Sequence, residues 1–364
     1  MPVAADGPST TEATVRRPIE LAWFAALCDD DYEQLGVADP TRLSSFEHCG
    51  AIVHAAEAGG FDSILMPSGY ALGIDTVAFT AAIAPSTHSI TPIVAVRMGE
   101  VWVPQLARQL ATLDQLLGGR MVINIISSEL PGETLASAPR YQRTLEHMHA
   151  LRALLNGSRL DADGEFVSLA LDAPRARTVS GSAPPLYFGG LSEDAREVAA
   201  EAADVYLMWP DTMEGVAAIV EDMRARAARH GRTLRFGYRV HVVVRETEDL
   251  ARAAARHLIA ALDPDVGEAI RARSLDSQSV GVRAQASLRD SSDNDGFVEP
   301  YLWTGIGRAR SGCGAAIVGD PQQVADKIRA YQALGIDTFI LSGYPHREEC
   351  ERFASLVMPL LRDA

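Results

Sequence analysis

The chain has 364 residues, with 33 basic against 48 acidic side chains and a formal charge of −15. That length fits either two average domains or one large barrel, and 47% apolar with 22% charged residues is globular composition rather than disorder. The acidity excludes nucleic acid and an anionic membrane surface as main partners, because both attract a basic face.

Residues 1–17 are polar, acidic early and basic late, and no apolar run follows them. They predict a disordered tail rather than a signal peptide, leaving 18–364 as the folded unit. No segment approaches 18 apolar residues, so no membrane span is expected. Cys28, Cys49, Cys313 and Cys350 lack any CxxC or metal-ligand spacing and read as reduced thiols of a cytoplasmic protein.

Strand patterns follow at Ile19–Leu27, Ser63–Pro67, Ile90–Arg97, Met121–Ile126, Leu186–Phe188, Val205–Trp209, Leu234–Val244 and Thr338–Leu341. Helical periodicity lies between them, near 44–58, 75–84, 103–117, 140–156, 192–202, 212–230, 248–262, 321–334 and 347–361. Such alternation predicts a parallel α/β fold. Ala55–Leu65 and Tyr331–Leu341 share one grammar: a helix ends at a glycine, then a hydrophobic residue and Asp lead into a buried strand. Finding it near both ends favours a single closed (β/α)8 TIM barrel. A doubly wound sheet is the alternative, but no GxGxxG follows the first strand. Two stretches exceed ordinary connections, 157–184 with room for a short hairpin and 263–312 with the polar Ser291–Gly296 at its centre. The second is read as an active-site lid or a disordered loop.

Arg235–Val244 carries the strongest chemical signal. Alternation puts Gly237, Arg239, His241 and Val243 on one face and Tyr238, Val240 and Val242 on the other. If the apolar face meets outer helices, Arg239 and His241 point into the barrel, as a satisfied buried pair or as an anion-binding and proton-handling pair. Phe339–His346 ends a buried strand in small residues and then presents Tyr344 and His346 in the loop leading to the last helix, where barrels of this kind keep catalytic groups; a plain helix-starting turn is the alternative. Pro185–Asp194 runs strand, Gly189-Gly190, helix, with Ser192 as phosphate ligand or simple N-cap. Trp209 can wall a planar ligand or pack in the core. Asn124 and Arg97 are polar groups at strand ends, functional or structural. Trp303–Gly314, rich in glycine and arginine, reads as a mobile anion-binding loop or a solvated one. His147 and His149 fall on different helix faces, and no HExxH, GxSxG or Walker A pattern occurs, so metallohydrolase and serine-hydrolase chemistry have no support.

Taken together, Ala111–Leu116 with Gly119-Arg120, Pro185–Gly190, Arg235–Thr247, Leu302–Asp320 and Phe339–Glu349 resemble the bacterial luciferase-like flavin monooxygenases, and within them the alkanesulfonate monooxygenase group. The resemblance runs from about Leu21 to Leu361. It implies a barrel binding reduced FMN at its C-terminal mouth, delivered by a separate NAD(P)H:FMN reductase, and a homodimer or homotetramer. It implies reaction with O2 through a flavin peroxide to oxygenate a small anionic organosulfur substrate, releasing sulfite and an aldehyde. By that resemblance Arg239, His241, Tyr344, Trp209 and the lid arginine Arg310 are catalytic, and Trp209, Arg239, Arg310 and His346 meet substrate. Gly189, Gly190, Ser192 and Tyr141 hold the phosphate, and Asn124 lies near the flavin ring. Any of Arg239, His241 and Tyr344 can carry the key proton.

The chain departs from the group at four places. Pro67–Asp75 lacks the group's cysteine, Ala25–Asp30 replaces a histidine-bearing loop, Ser127–Leu130 replaces a Thr-Gly-Ser-Asp-like run, and Leu191 replaces a serine. These changes leave room for a substrate other than a simple alkanesulfonate. The readings that compete with this one are an F420-dependent dehydrogenase and a non-catalytic flavin-binding barrel.

Overall fold

Eight short aliphatic runs become eight parallel strands: β1 (Glu20–Phe24), β2 (Ser63–Met66), β3 (Thr91–Arg97), β4 (Val122–Ile126), β5 (Leu186–Gly189), β6 (Val205–Met208), β7 (Arg235–Val244) and β8 (Thr338–Ser342). The computed structural model describes residues 18–272, 279–310 and 312–362, and the tail expected over 1–17 lies outside them. Each strand pairs in parallel with the next, and β8 pairs with β1, Glu20 opposite Thr338. The sheet is therefore closed, which removes the doubly wound alternative, whose open sheet would have two edges. A helix follows every strand, the first at Phe46–Ala58 and the last of the eight at His346–Leu356.

Strand alternation divides the core in two. Leu21 and Trp23 of β1 face outward into the large cluster shared with the helices, whereas Ala22 and Phe24 face inward to meet Leu65, Ile93, Val122, Tyr187, Val205 and Ile340. The N-terminal end of the barrel interior is closed by one carboxylate. Glu20 accepts hydrogen bonds from Ser63 (2.7 Å), Thr338 (2.9 Å), Tyr187 (3.2 Å) and Arg235 (3.2 Å).

Both long connections have structure of their own. Leu160–Asp163 and Ser168–Leu171 form an antiparallel hairpin. Between β7 and β8 the chain forms helices Pro264–Ala272 and Val280–Asp290, a small hairpin of Phe297–Glu299 with Leu302-Trp303, and a strand at Ala316–Gly319. That last strand escapes a reading of the sequence because its apolar run lies between glycines. It pairs in parallel with His241–Val244, the part of β7 that extends past β6. Trp303–Gly307 is buried, so the glycine–arginine segment is not a solvated loop there. Val243 also departs from the barrel face expected for it. It packs in a separate cluster under this insertion, with Leu35, Ala251, Trp303, Ala316 and Tyr344.

Candidate active site

At the C-terminal end of the barrel lies a cavity of about 410 Å³. Its floor is Phe24, Leu65 and Ile340, its walls come from the ends of β3 to β7, and residues 279–281, 283, 310, 312 and 313 of the insertion close over it. Of the site candidates, Arg239, Arg310, Trp209, Asn124, Tyr141, Gly189, Gly190 and Ser192 all reach this cavity. His241, Tyr344 and His346 are buried just behind its lining.

Arg239 comes from the inward face of β7, with its guanidinium 4.4 Å over the Phe24 ring. Its Nη1 donates to the carbonyls of Val240 (3.2 Å) and Ile340 (3.4 Å), while its buried Nη2 has no partner. No carboxylate faces it in an ion pair among the described residues. Burial, and then the nearby Arg310, press its pKa below the ordinary arginine value. A buried guanidinium with a spare N–H pair costs free energy unless an anion comes to it.

Arg310 reaches the same place from the insertion. It pairs with Asp30 at 2.8 Å, donates to the Tyr344 hydroxyl and lies 5.7 Å from the Phe24 ring centre. Burial opposes its charge, but Tyr344 and Asp30 outweigh that and hold its pKa above the usual value. The His241 ring stacks on Tyr344 with centroids 5.2 Å apart, and its Nδ1 lies 2.6 Å from the Ser342 hydroxyl, leaving Nε2 without a partner. Burial first, then Arg239 and Arg310, push His241 well below the ordinary histidine pKa, so the imidazole is neutral. His346 opens its helix rather than sitting in a loop. It is fully buried between Phe24 (5.5 Å) and Tyr344 (5.1 Å), and burial lowers its pKa too.

The other end of the cavity suits a phosphate. Ser192 caps helix Glu193–Ala202, its hydroxyl accepting from the Ala195 N–H at 3.2 Å. A Cβ at Gly190 would stand 2.6 Å from the Ala195 Cβ and 3.4 Å from the Tyr141 hydroxyl oxygen, so only glycine keeps this cradle open. Two carboxylates share the helix's first turn, but both are engaged: Glu193 pairs with Arg226, and Asp194 accepts from Ser137. Gly189 has a different reason for being glycine: its Cβ would fall 2.1 Å from the Leu207 carbonyl oxygen of the neighbouring strand. Asn124 is 8% exposed on β4, and its side chain makes no hydrogen bond among the described residues. Trp209 fits between two glycines of the insertion; a Cβ at Gly281 or Gly312 would lie 2.9 or 3.2 Å from its ring. Arg97, by contrast, is structural, donating to Ser128 (2.8 Å) and pairing with Glu100.

Sequence reasoning missed Arg140, which lies beside Tyr141 (5.4 Å to the ring) and has a buried, unpartnered Nε on the cavity. The one available signal was its adjacency to Tyr141 at the start of a helix. It also missed Phe24, which read as one more core aromatic, and Asp30, whose partner is 280 residues away. Among the described residues no three His, Cys, Asp or Glu side chains converge as a metal site, no helix is long and apolar enough to cross a membrane, and all four cysteines are free.

A closed barrel with a buried, incompletely bonded arginine at its C-terminal mouth has the architecture of a TIM-barrel enzyme. The luciferase-like monooxygenase family profile matches residues 20–338, and the chain belongs to that family as a flavin-dependent monooxygenase. Over 347 residues it is 62% identical to a sulfoquinovose monooxygenase of Novosphingobium aromaticivorans, covering 93% of this chain and 96% of that protein. It is 49% identical to another from Agrobacterium fabrum, covering 94% and 90%. Among solved structures, a long-chain alkane monooxygenase superposes with a TM-score of 0.78 over 95% of this chain and 92% of its own, at 20% identity, a likeness of fold alone.

Proposed function

We propose that the enzyme oxygenates a small organosulfonate at its sulfur-bearing carbon and releases sulfite and an aldehyde. Reduced FMN comes from a separate NAD(P)H:FMN reductase. Sulfoquinovose, a sugar sulfonate, is the first candidate substrate, supported by the names of the two relatives. The observation that carries the reading is Arg239, a buried cation whose Nη2 has no partner and which lines the cavity. The overall balance is R–CH2–SO3⁻ + O2 + FMNH2 → R–CHO + HSO3⁻ + H2O + FMN, in which the C–S bond breaks and a C–O bond forms.

Bound reduced FMN supplies two electrons and the activation of O2. The chain supplies the rest. Gly190, Ser192, Tyr141 and Arg140 would hold the flavin phosphate, and Asn124 and Trp209 line the same cavity, where they would contact the rest of the cofactor. Arg239 and Arg310 hold the sulfonate with directional, permanently charged donors. Asp30 and Tyr344 fix Arg310, and the insertion keeps bulk water out. Behind the lining, the neutral His241 ring stacks on Tyr344 and so positions the phenol that fixes Arg310.

Sulfite assay with FMN, NADH and a flavin reductase tests this. We expect sulfite from sulfoquinovose with kcat/KM at least about tenfold above that for a short unsubstituted alkanesulfonate, whose missing hydroxyls would leave polar cavity groups unpaired. FMN- and O2-dependent turnover of another substrate with no sulfite from any sulfonate would overturn it.

A further inference from the structure

A second cavity, of about 210 Å³ and half open to solvent, also reaches Arg310 and is lined by the two insertion helices and Gly307. Arg310 lines both cavities. Three arginines face this second space, Arg271, Arg289 and Arg310, against a single carboxylate, Glu268, which forms no ion pair among the described residues. The first two are held by neutral groups: Arg271 donates to the Arg308 carbonyl and Arg289 to the Gly307 carbonyl at 2.8 Å. Arg289 also lies 3.6 Å from Asp290, whose side chain is 74% exposed and so screens it weakly. Burial, then the charge of Arg289, disfavours the charged form of Arg271, and Glu268 opposes them only in part. The rest of the lining is neutral: Ala272, Val282, Gln285, Ala286 and Gly307. The space suits an inorganic oxyanion and is half the size of the cavity that must hold flavin and substrate.

We propose that this cavity is a second oxyanion site, which takes the sulfite released at Arg239 and passes it outward across Arg310. The proposal rests on the C–S cleavage reading. Sulfite carries at least the charge of the sulfonate it came from, so the arginines that bind substrate also retain product. A neighbouring cavity lined by three arginines against one carboxylate offers the product a path of positive potential.

The test separates the second site from the phosphate cradle by substitution, using flavin-free Arg239→Met protein titrated with sulfate and with sulfite and followed by thermal shift. We expect saturable stabilisation by both anions. It should weaken at least tenfold in Ala286→Leu, which fills the cavity and keeps all three arginines, and in Arg271→Gln. In the otherwise wild-type enzyme, Ala286→Leu should relieve sulfite inhibition and lower steady-state kcat several-fold, with the single-turnover rate unchanged. Equal anion binding with and without the substitutions would overturn the proposal. So would a fall in single-turnover rate matching the fall in kcat, which would assign the arginines to holding the turn before Arg310. If anions bind and Ala286→Leu abolishes that binding, yet no sulfonate yields sulfite, the second site stands and the proposed reaction fails.

Discussion

The two ends of the barrel interior are built from the same strands and treat charge in opposite ways. At the N-terminal end Arg235 meets Glu20, and the same carboxylate also accepts from Ser63, Tyr187 and Thr338. Four residues along β7, Arg239 is more deeply buried and meets backbone carbonyls, an aromatic ring and an unfilled Nη2. One end is a closed polar plug that stabilises the barrel. The other holds back a hydrogen-bonding capacity that a ligand must complete. Unmet polarity, not polarity itself, distinguishes a site from a strut.

That contrast breaks first, and most visibly, at the arginines. Arg239→Met should lower kcat/KM about a thousandfold, removing several charge-assisted hydrogen bonds at once. Its thermal melt should not fall, since an uncompensated buried charge is lost. Equal losses of activity and stability would show that Arg239 is a strut like Arg235. At the opposite end, Glu20→Ala should cost about 2–3 kcal/mol in denaturant unfolding by leaving its donors unmet, while activity per folded molecule is unchanged.

A smaller effect is expected at the phosphate end. Gly190→Ala should weaken FMN binding about tenfold, read by fluorescence quenching, because its methyl group intrudes on the cradle. Acid provides a fourth probe. His147, His241 and His346 are buried with lowered pKa values, in each case chiefly by burial. The unfolded chain therefore binds protons that the native one refuses. Stability should fall as the pH drops below about 6.5, by at most about 1.4 kcal/mol per pH unit for each histidine, with His241 nearest that limit. His241→Phe should remove one proton from that slope. The mildest change is Ser192→Ala, a loss of about 1 kcal/mol as an N-cap. A larger loss in FMN affinity than in stability would make the hydroxyl a phosphate ligand as well.

All eight barrel strands were legible, because each is an apolar run bounded by turn signals, and their alternation with helices favoured closure. The inward face of β7 was legible as far as Arg239 and His241, since alternation depends on local spacing. Which of Arg235 and Arg239 is paired was not, because Glu20 lies some two hundred residues upstream and its meeting with β7 is a product of closure. Asp30 and Arg310 stayed invisible as a pair for the same reason. Gly189 and Gly190 look alike in sequence, yet one yields to a neighbouring strand's carbonyl and the other clears a cradle. That distinction needs three-dimensional neighbours.

The extra length of β7 governs how substrate range can change in this architecture. Its last four residues pair with Ala316–Gly319, which joins the insertion's hairpin to the barrel sheet, while Gly237–His241 remain bonded to β8. A module exchanged between relatives from about residue 248 to residue 314 would leave both registers intact, replacing the roof and Arg310 together. A cut inside 316–319 would instead loosen the rail on which His241 is mounted. Chimeras joined at the first pair of borders should inherit the donor's preference for the carbon skeleton of the sulfonate and keep the recipient's flavin affinity.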